Sequence, residues 1–214
     1  MPTLRVDTGR LRPADLAPAA EWIRQGGIAA LPTETFYGLA VDPQCRAAVA
    51  ALFELKGRQA QSALPLVAAS LEQVEALCGP LPDGARQLAR RFWPGPLSLV
   101  LDVRIDLRAG LAPLVAAGDR SVAIRVPGHE IPRVLAAHVG RPLTATSANR
   151  SGEAPARSAR ALAWLAADSR VLVIDAGDSP GELPSTIIDA RVWPPRLVRE
   201  GAVPWSRVLE SPDR

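Results

Sequence analysis

At 214 residues the chain is long enough for one generous domain or two small ones. Hydrophobic residues make up 48% and charged residues 22%, a globular balance that excludes a disordered chain. The formal charge of +3 permits an anionic ligand or an RNA contact without demanding one, because no dense basic run occurs.

Aromatic residues are only 4%, so the core must be built from Ala, Leu, Val and Ile. Cys45 and Cys78 stand far apart with no Cys-x-x-Cys. The opening Met1-Pro2-Thr3-Leu4-Arg5 lacks a signal peptide's apolar segment, and no run approaches the ~20 apolar residues that span a bilayer. A cytoplasmic protein with reduced thiols and no membrane partner is expected, with Cys78 a small core hydrophobe.

In chain order, Leu4-Arg5-Val6 predicts a short strand, and Asp15 predicts the cap of a helix that runs to Gln25 and stops at Gly26-Gly27. Ile28-Ala29-Ala30-Leu31 is a buried-strand pattern. After it, Pro32-Thr33-Glu34-Thr35-Phe36-Tyr37-Gly38 packs hydroxyls, a carboxylate and the only tyrosine into a polar knot. Val49, Leu52 and Phe53 are at helical spacing over 44–55, and Gly57 breaks that pattern. A strand follows over 64–69, then a helix with capping-box spacing at Ser70 and Gln73, and another helix over 83–92. Further strands are expected over 97–103, 121–126, 143–146, 171–175, 186–189 and 196–199, with helices over 131–139 and 158–167. Strands and helices are interspersed without repeat or linker. The expected fold is one α/β (α+β) domain over 1–214: a twisted open mixed sheet flanked by helices.

The familiar nucleotide cradles, Gly-x-x-x-x-Gly-Lys-Ser/Thr and Gly-x-Gly-x-x-Gly, are absent, so side chains and strand-end loops would have to hold a nucleotide. His129 and His138 read as structural or solvated, and with so few histidines and thiols no zinc site is expected. Ser147 lies in Thr-Ser-Ala-Asn, outside the Gly-x-Ser-x-Gly context of a hydrolase. Lys56 is the only lysine among 25 basic residues, set beside Gly57 and Arg58. The pair either complements a helix C-terminus or contacts phosphate or carboxylate, for which ammonium and guanidinium have different geometries. Ser147-Ala148-Asn149-Arg150-Ser151-Gly152 offers donors to a phosphate or purine edge, or forms an Asx-type turn. Arg125 inside an apolar strand needs an internal Asp or Glu, or a ligand carboxylate. Pro184-Ser185-Thr186 brings hydroxyls to a strand mouth, and Arg199-Glu200-Gly201 reads as a strand-end cation or an ordinary surface charge.

Seven blocks taken in order form a set. They are Leu31 to Leu39, Lys56-Gly57-Arg58, Phe92-Trp93-Pro94-Gly95-Pro96-Leu97-Ser98-Leu99, Val122-Ala123-Ile124-Arg125-Val126-Pro127, Ser147 to Gly152, Ser185-Thr186-Ile187-Ile188-Asp189, and Arg199-Glu200-Gly201. This set resembles the YrdC-like (TsaC) threonylcarbamoyl-AMP synthases from about residue 16 to 201, in their short single-domain form. The resemblance implies a large, positively lined cavity. It implies that L-threonine, bicarbonate (or CO2) and ATP give threonylcarbamoyl-AMP and pyrophosphate, with Mg2+ carried on the phosphates. The product would pass to tRNA-modifying proteins for threonylcarbamoyladenosine at position 37, with weak tRNA or RNA contact.

By matching position, Thr33, Arg125 and Ser185 would hold threonine beside the backbone of Ala145. Lys56, Arg58, Ser62, Ser121, Ser147, Asn149, Pro155 and Arg199 would form the ATP side, with Lys56 and Arg58 acting in catalysis. The pattern departs from the family after Arg58, where Gln59-Ala60-Gln61-Ser62 replaces a Pro-x-Asp-Asn or Pro-x-Asp-Lys run. Ser62 thus replaces an amide or amine, and Val67 stands where some members carry histidine. The alternatives are a nucleotide- or RNA-binding paralogue without synthase activity, serving ribosome or RNA maturation, and a paralogue using another carbamoyl acceptor.

Overall fold

The computed structural model describes residues 2–57, 63–112, 115 and 120–210. The chain starts with β1 (Thr3–Arg5), then two 3-10 turns, Thr8–Arg10 and Pro13–Leu16, and α1 (Ala17–Arg24). Asp15 does not cap α1. It belongs to the second turn, where it accepts from the Arg12 amide at 3.0 Å, and the α-helix begins two residues later with Pro18 in its first turn. Proline is tolerated there because that turn's amides have no intrahelical acceptor.

β2 (Ile28–Leu31) is buried along its whole length. Ile28 and Ala30 point into one apolar cluster and Ala29 and Leu31 into a second, the period-2 consequence of a strand covered on both faces. After the polar knot comes β3 (Gly38–Ala40), a three-residue strand too short for the sequence pattern to reveal. α2 (Arg46–Lys56) stops at Gly57, whose left-handed φ of 58° lets its amide turn back to the Glu54 carbonyl. β4 (Leu66–Val67) follows, with Val67 fully buried in the second cluster, under α1 and the later helix α5 (Glu130–Val139).

α3 (Leu71–Cys78) begins at Ser70, whose hydroxyl accepts the Gln73 amide, while Gln73 Oε1 accepts the Ala69 amide at 2.8 Å. Next come α4 (Asp83–Phe92), β5 (Leu97–Asp102) and β6 (Ser121–Arg125), which precedes α5. At the end of α3, burial pushes the Cys78 thiol up to about 12, the behaviour of an inert core sulfur.

The strand expected over 143–146 is two strands, β7 (Leu143–Thr144) and β8 (Thr146–Ser147), with Ala145 at the break. The segment expected as a helix over 158–167 forms 3-10 turns, Ala159–Leu165, capped by Ser158. β9 (Val171–Asp175), β10 (Thr186–Asp189), β11 (Arg196–Arg199) and α6 (Trp205–Leu209) complete the order.

The strands divide between two mixed sheets, β1-β9-β2-β3-β8 and β11-β10-β5-β6-β4-β7. The expected mixed sheet flanked by helices is therefore present as a pair. The chain changes sheets at Ala145: Thr144 pairs with Leu66 in the second sheet, and Thr146 with Leu39 in the first. The Thr144 hydroxyl pins this corner by accepting the Val41 amide at 2.9 Å. Among the described residues no helix is long and apolar enough to cross a membrane.

Candidate active site

Where the sheets meet at Ala145, they enclose a cavity of about 550 Å³. The first sheet supplies Gly38, Thr146 and Ser147; the second supplies Arg125, Ile187, Val198 and Arg199. The polar knot closes one wall with Thr33, Thr35, Phe36 and Tyr37, and Pro184 and Ser185 close another.

Thr33 makes the knot. Its Oγ1 accepts the amides of Thr35 at 3.1 Å and Phe36 at 3.3 Å, donates to the Phe36 carbonyl at 2.8 Å, and lies 2.9 Å from Thr35 Oγ1. A hydroxyl has one proton and two lone pairs, so this one is fully engaged within the knot. The fully buried Tyr37 donates to the Gly177 carbonyl at 2.7 Å, and burial raises its pKa, which keeps it a donor. Gly181 packs against Thr35 so closely that an added Cβ would lie 2.3 Å from the Thr35 carbonyl oxygen. Only glycine lets the segment before β10 close on the knot there.

The knot carries Glu34 to Arg125. Glu34 Oε1 accepts from Arg125 Nε at 3.1 Å, with side chains 17% and 6% exposed, so an internal carboxylate answers the strand's buried cation. This contact engages one of five guanidinium protons. Arg199 reaches the same cavity from β11, donating through Nη2 to the Ser185 carbonyl at 2.7 Å. Burial first, and the Arg125 cation second, lower the Arg199 pKa. Two guanidiniums therefore share a partly dry space with one carboxylate, an arrangement an anionic ligand relieves.

Lys56, at the end of α2, does not line this cavity but bonds to β8, which does, and to the loop after it. It is 4% exposed, and its ammonium donates to the carbonyls of Ser147 and Asn149, the latter at 2.8 Å, and to Asn149 Oδ1 at 3.2 Å. Asn149 Oδ1 also accepts from Ser147 Oγ at 2.5 Å, and its Nδ2 donates to the Glu153 carbonyl at 2.6 Å. The ammonium thus fastens the loop after β8 from its inner side. This explains a lysine here: one compact charge with rotating donors gathers three oxygens.

Of the residues singled out by sequence, Thr33, Arg125, Ala145, Ser147, Ser185 and Arg199 line the cavity together. Lys56 and Asn149, bonded to each other, are outside its lining; Lys56 lines a neighbouring cavity of about 830 Å³ with Gly57, Arg150 and Trp164, and touches this one through the Ser147 carbonyl. Pro155 is half-buried and outside the lining; its neighbour Ala156 ties it in, donating to the Ala148 carbonyl and accepting from the Tyr37 amide. Ser121 is not brought to the cavity: it pairs with Asp102 at the other end of β6, four residues or roughly 13 Å from Arg125. Arg58 and Ser62 lie outside the described residues. Sequence reasoning left Glu34 without a role. Its signal was present in the demand of Arg125 for a buried carboxylate, but the pairing spans 91 residues. Among the described residues no three or more His, Cys, Asp or Glu side chains gather into a group that could hold a metal.

Comparison with known proteins adds to this geometry. A threonylcarbamoyl-AMP synthase of Pyrococcus abyssi is 41% identical over 191 residues, which is 89% of this chain and 55% of that protein. One of Marinobacter nauticus is 37% identical over 174 residues, covering 81% of this chain and 90% of its own length. The crystal structure of P. abyssi Sua5 complexed with L-threonine superposes with a TM-score of 0.86 at 38% identity, covering 97% of this chain and 59% of that one. The chain thus spans little more than half of the Pyrococcus protein. The Sua5/YciO/YrdC family model, described as telomere recombination, matches residues 21–201, and the chain belongs to that family.

Proposed function

We propose that this protein is a threonylcarbamoyl-AMP synthase, joining L-threonine, bicarbonate or CO2 and ATP into L-threonylcarbamoyladenylate and releasing pyrophosphate. The observation that carries the reading is the convergence of Arg125 and Arg199 on one cavity with Ser185, Ser147 and the Ala145 corner. The relatives named as such synthases, and the Pyrococcus structure that holds L-threonine, support it.

The chemistry follows from charge. The threonine amine attacks CO2 and loses a proton to form a carbamate; a carbamate oxygen then attacks the α-phosphorus as the bond to pyrophosphate breaks. Both partners of the second step are anions, so bringing them together needs fixed cations. Arg125, held through Nε by Glu34, offers its remaining N–H groups to the amino-acid carboxylate, with Ser185 beside it. Arg199 faces the phosphates from the β11 rim, and Ser147 and Asn149 hold the nucleotide on the loop that Lys56 fastens. Lys56 serves ATP by setting this loop and by re-pairing its ammonium with phosphate oxygen, and Arg58 adds the second cation of that clamp. Ser121 and Pro155, outside the cavity lining, meet the part of the nucleotide that extends beyond it, and Ser62 is assigned to the ATP side by matching position alone. Mg2+ would be supplied with the nucleotide and would offset phosphate charge, with no group of three or more His, Cys, Asp or Glu among the described residues to hold it. The protein's main contribution is orientation in a partly closed space, on the order of 7–11 kcal/mol at best. The product then passes to proteins that place the group on tRNA, and the chain works as a single domain in the cytoplasm.

The test is pyrophosphate release from ATP with bicarbonate and L-threonine, each omitted in turn. Release that requires all three, with a threonylcarbamoyl adenylate recovered, supports the reading. Saturable, steeply salt-dependent RNA binding without ATP cleavage would replace it with the paralogue reading.

A further inference from the structure

Ser98 is a buried hydroxyl that the reaction above does not use. It lies on β5 between Leu97 and Leu99, and none of the three is exposed to solvent. A hydroxyl in such an apolar run is costly unless it is hydrogen-bonded. Parallel pairing sets Ser98 opposite Ile187, and Ser185 lies two residues before Ile187, on the same face of that segment. Ile187 and Ser185 both line the cavity, so Ser98 stands directly beneath its wall.

Ser98 Oγ donates to Ser185 Oγ at 3.3 Å, and Arg199 Nη2 donates to the same Ser185 oxygen at 3.3 Å. A guanidinium can only donate, and a serine oxygen has two lone pairs and one proton. Were the first bond reversed, the Ser98 proton would lie buried with no acceptor among its described contacts. With both lone pairs of Ser185 occupied, its proton is all it can turn towards the cavity.

We propose that Ser98 is a positioning residue that fixes Ser185 as a hydrogen-bond donor, so that this point of the cavity reads an acceptor oxygen of an anionic ligand and rejects an ammonium. In identifying that ligand as L-threonine the proposal rests on the synthase reading. It implies that the amino acid docks with an oxygen at Ser185, leaving its amine directed elsewhere to meet CO2.

The experiment is a double-mutant cycle on Ser98→Ala and Ser185→Ala, reading the L-threonine dissociation constant by calorimetry and the KM and kcat of pyrophosphate release. Ser98→Ala should weaken threonine about fivefold, the scale of one modest hydrogen bond, and raise its KM while kcat is largely kept. In the Ser185→Ala background the same change should add nothing. Ser98→Thr, which keeps the hydroxyl, should bind like the wild type, whereas the isosteric Ser98→Val should bind like Ser98→Ala. That pair carries the comparison if melting curves show the alanine variant unfolded. Penalties that add in the double variant, or threonine binding that Ser98→Val leaves unchanged, would overturn the proposal while leaving the synthase reading intact. A wild-type protein that neither binds threonine nor releases pyrophosphate would overturn both.

Discussion

The two sides of the cavity are built by opposite means. At Arg125 the scaffold is side chain on side chain: a strand-borne guanidinium meets Glu34 at 3.1 Å, and the polar knot that carries Glu34 is folded by Thr33. At Lys56 it is side chain on backbone, one ammonium gathering the carbonyls of Ser147 and Asn149. The difference teaches what each side can do. A guanidinium fixed through one nitrogen keeps further donors in a set plane, which suits a rigid carboxylate. In the proposed reaction an ammonium bonded to loop carbonyls would exchange them for phosphate oxygens, which would couple loop position to ligand occupancy.

The largest effect expected is at Arg125. Arg125→Ala leaves Glu34 charged and largely buried, and breaking such a pair from one side costs about 3–5 kcal/mol. Urea unfolding should show that loss, and pyrophosphate release should fall below detection. Glu34→Gln, which keeps an oxygen for Nε, should cost far less in both assays; equal losses would break the claim that Glu34 chiefly orients the arginine.

Next is Lys56→Ala, which strips a shared donor from three loop oxygens. About 1–3 kcal/mol of stability should be lost, with ATP affinity falling more than threonine affinity. Equal weakening of both ligands would erase the distinction between the two sides. Asn149→Ala should reproduce the ATP defect more mildly, by about 1 kcal/mol, since Lys56 would keep the Ser147 carbonyl.

The smallest effect concerns pH. His129 caps α5 by accepting the Ile131 amide on Nδ1 at 3.2 Å, and burial lowers its pKa below the usual 6.5. The unfolded chain therefore takes up this proton first, so stability should decline as pH falls below 6.5 towards the folded value and be flat above it. Melting temperature against pH should lose that component in His129→Asn, which keeps a capping oxygen.

Much of this was legible in the residues. The fully apolar Ile28-Ala29-Ala30-Leu31 announced a strand covered on both faces, and Gly57 announced the end of α2. Lys56 drew notice because it is the only lysine. The second sheet was not legible: the chain changes partners at Ala145 without a glycine or proline, between strands of two residues each. Glu34 and Ser98 were hidden for a related reason, since their meaning lies in pairings across 91 and 87 residues that no local pattern encodes.

The most direct measurement compares wild type with Arg125→Ala for L-threonine binding by calorimetry, with and without ATP. The account predicts that wild type binds threonine and that Arg125→Ala, still folded, has lost threonine binding but kept ATP binding. Threonine binding retained without the Arg125 guanidinium would contradict it, because the carboxylate would then be recognised somewhere other than the Glu34-framed end of the cavity.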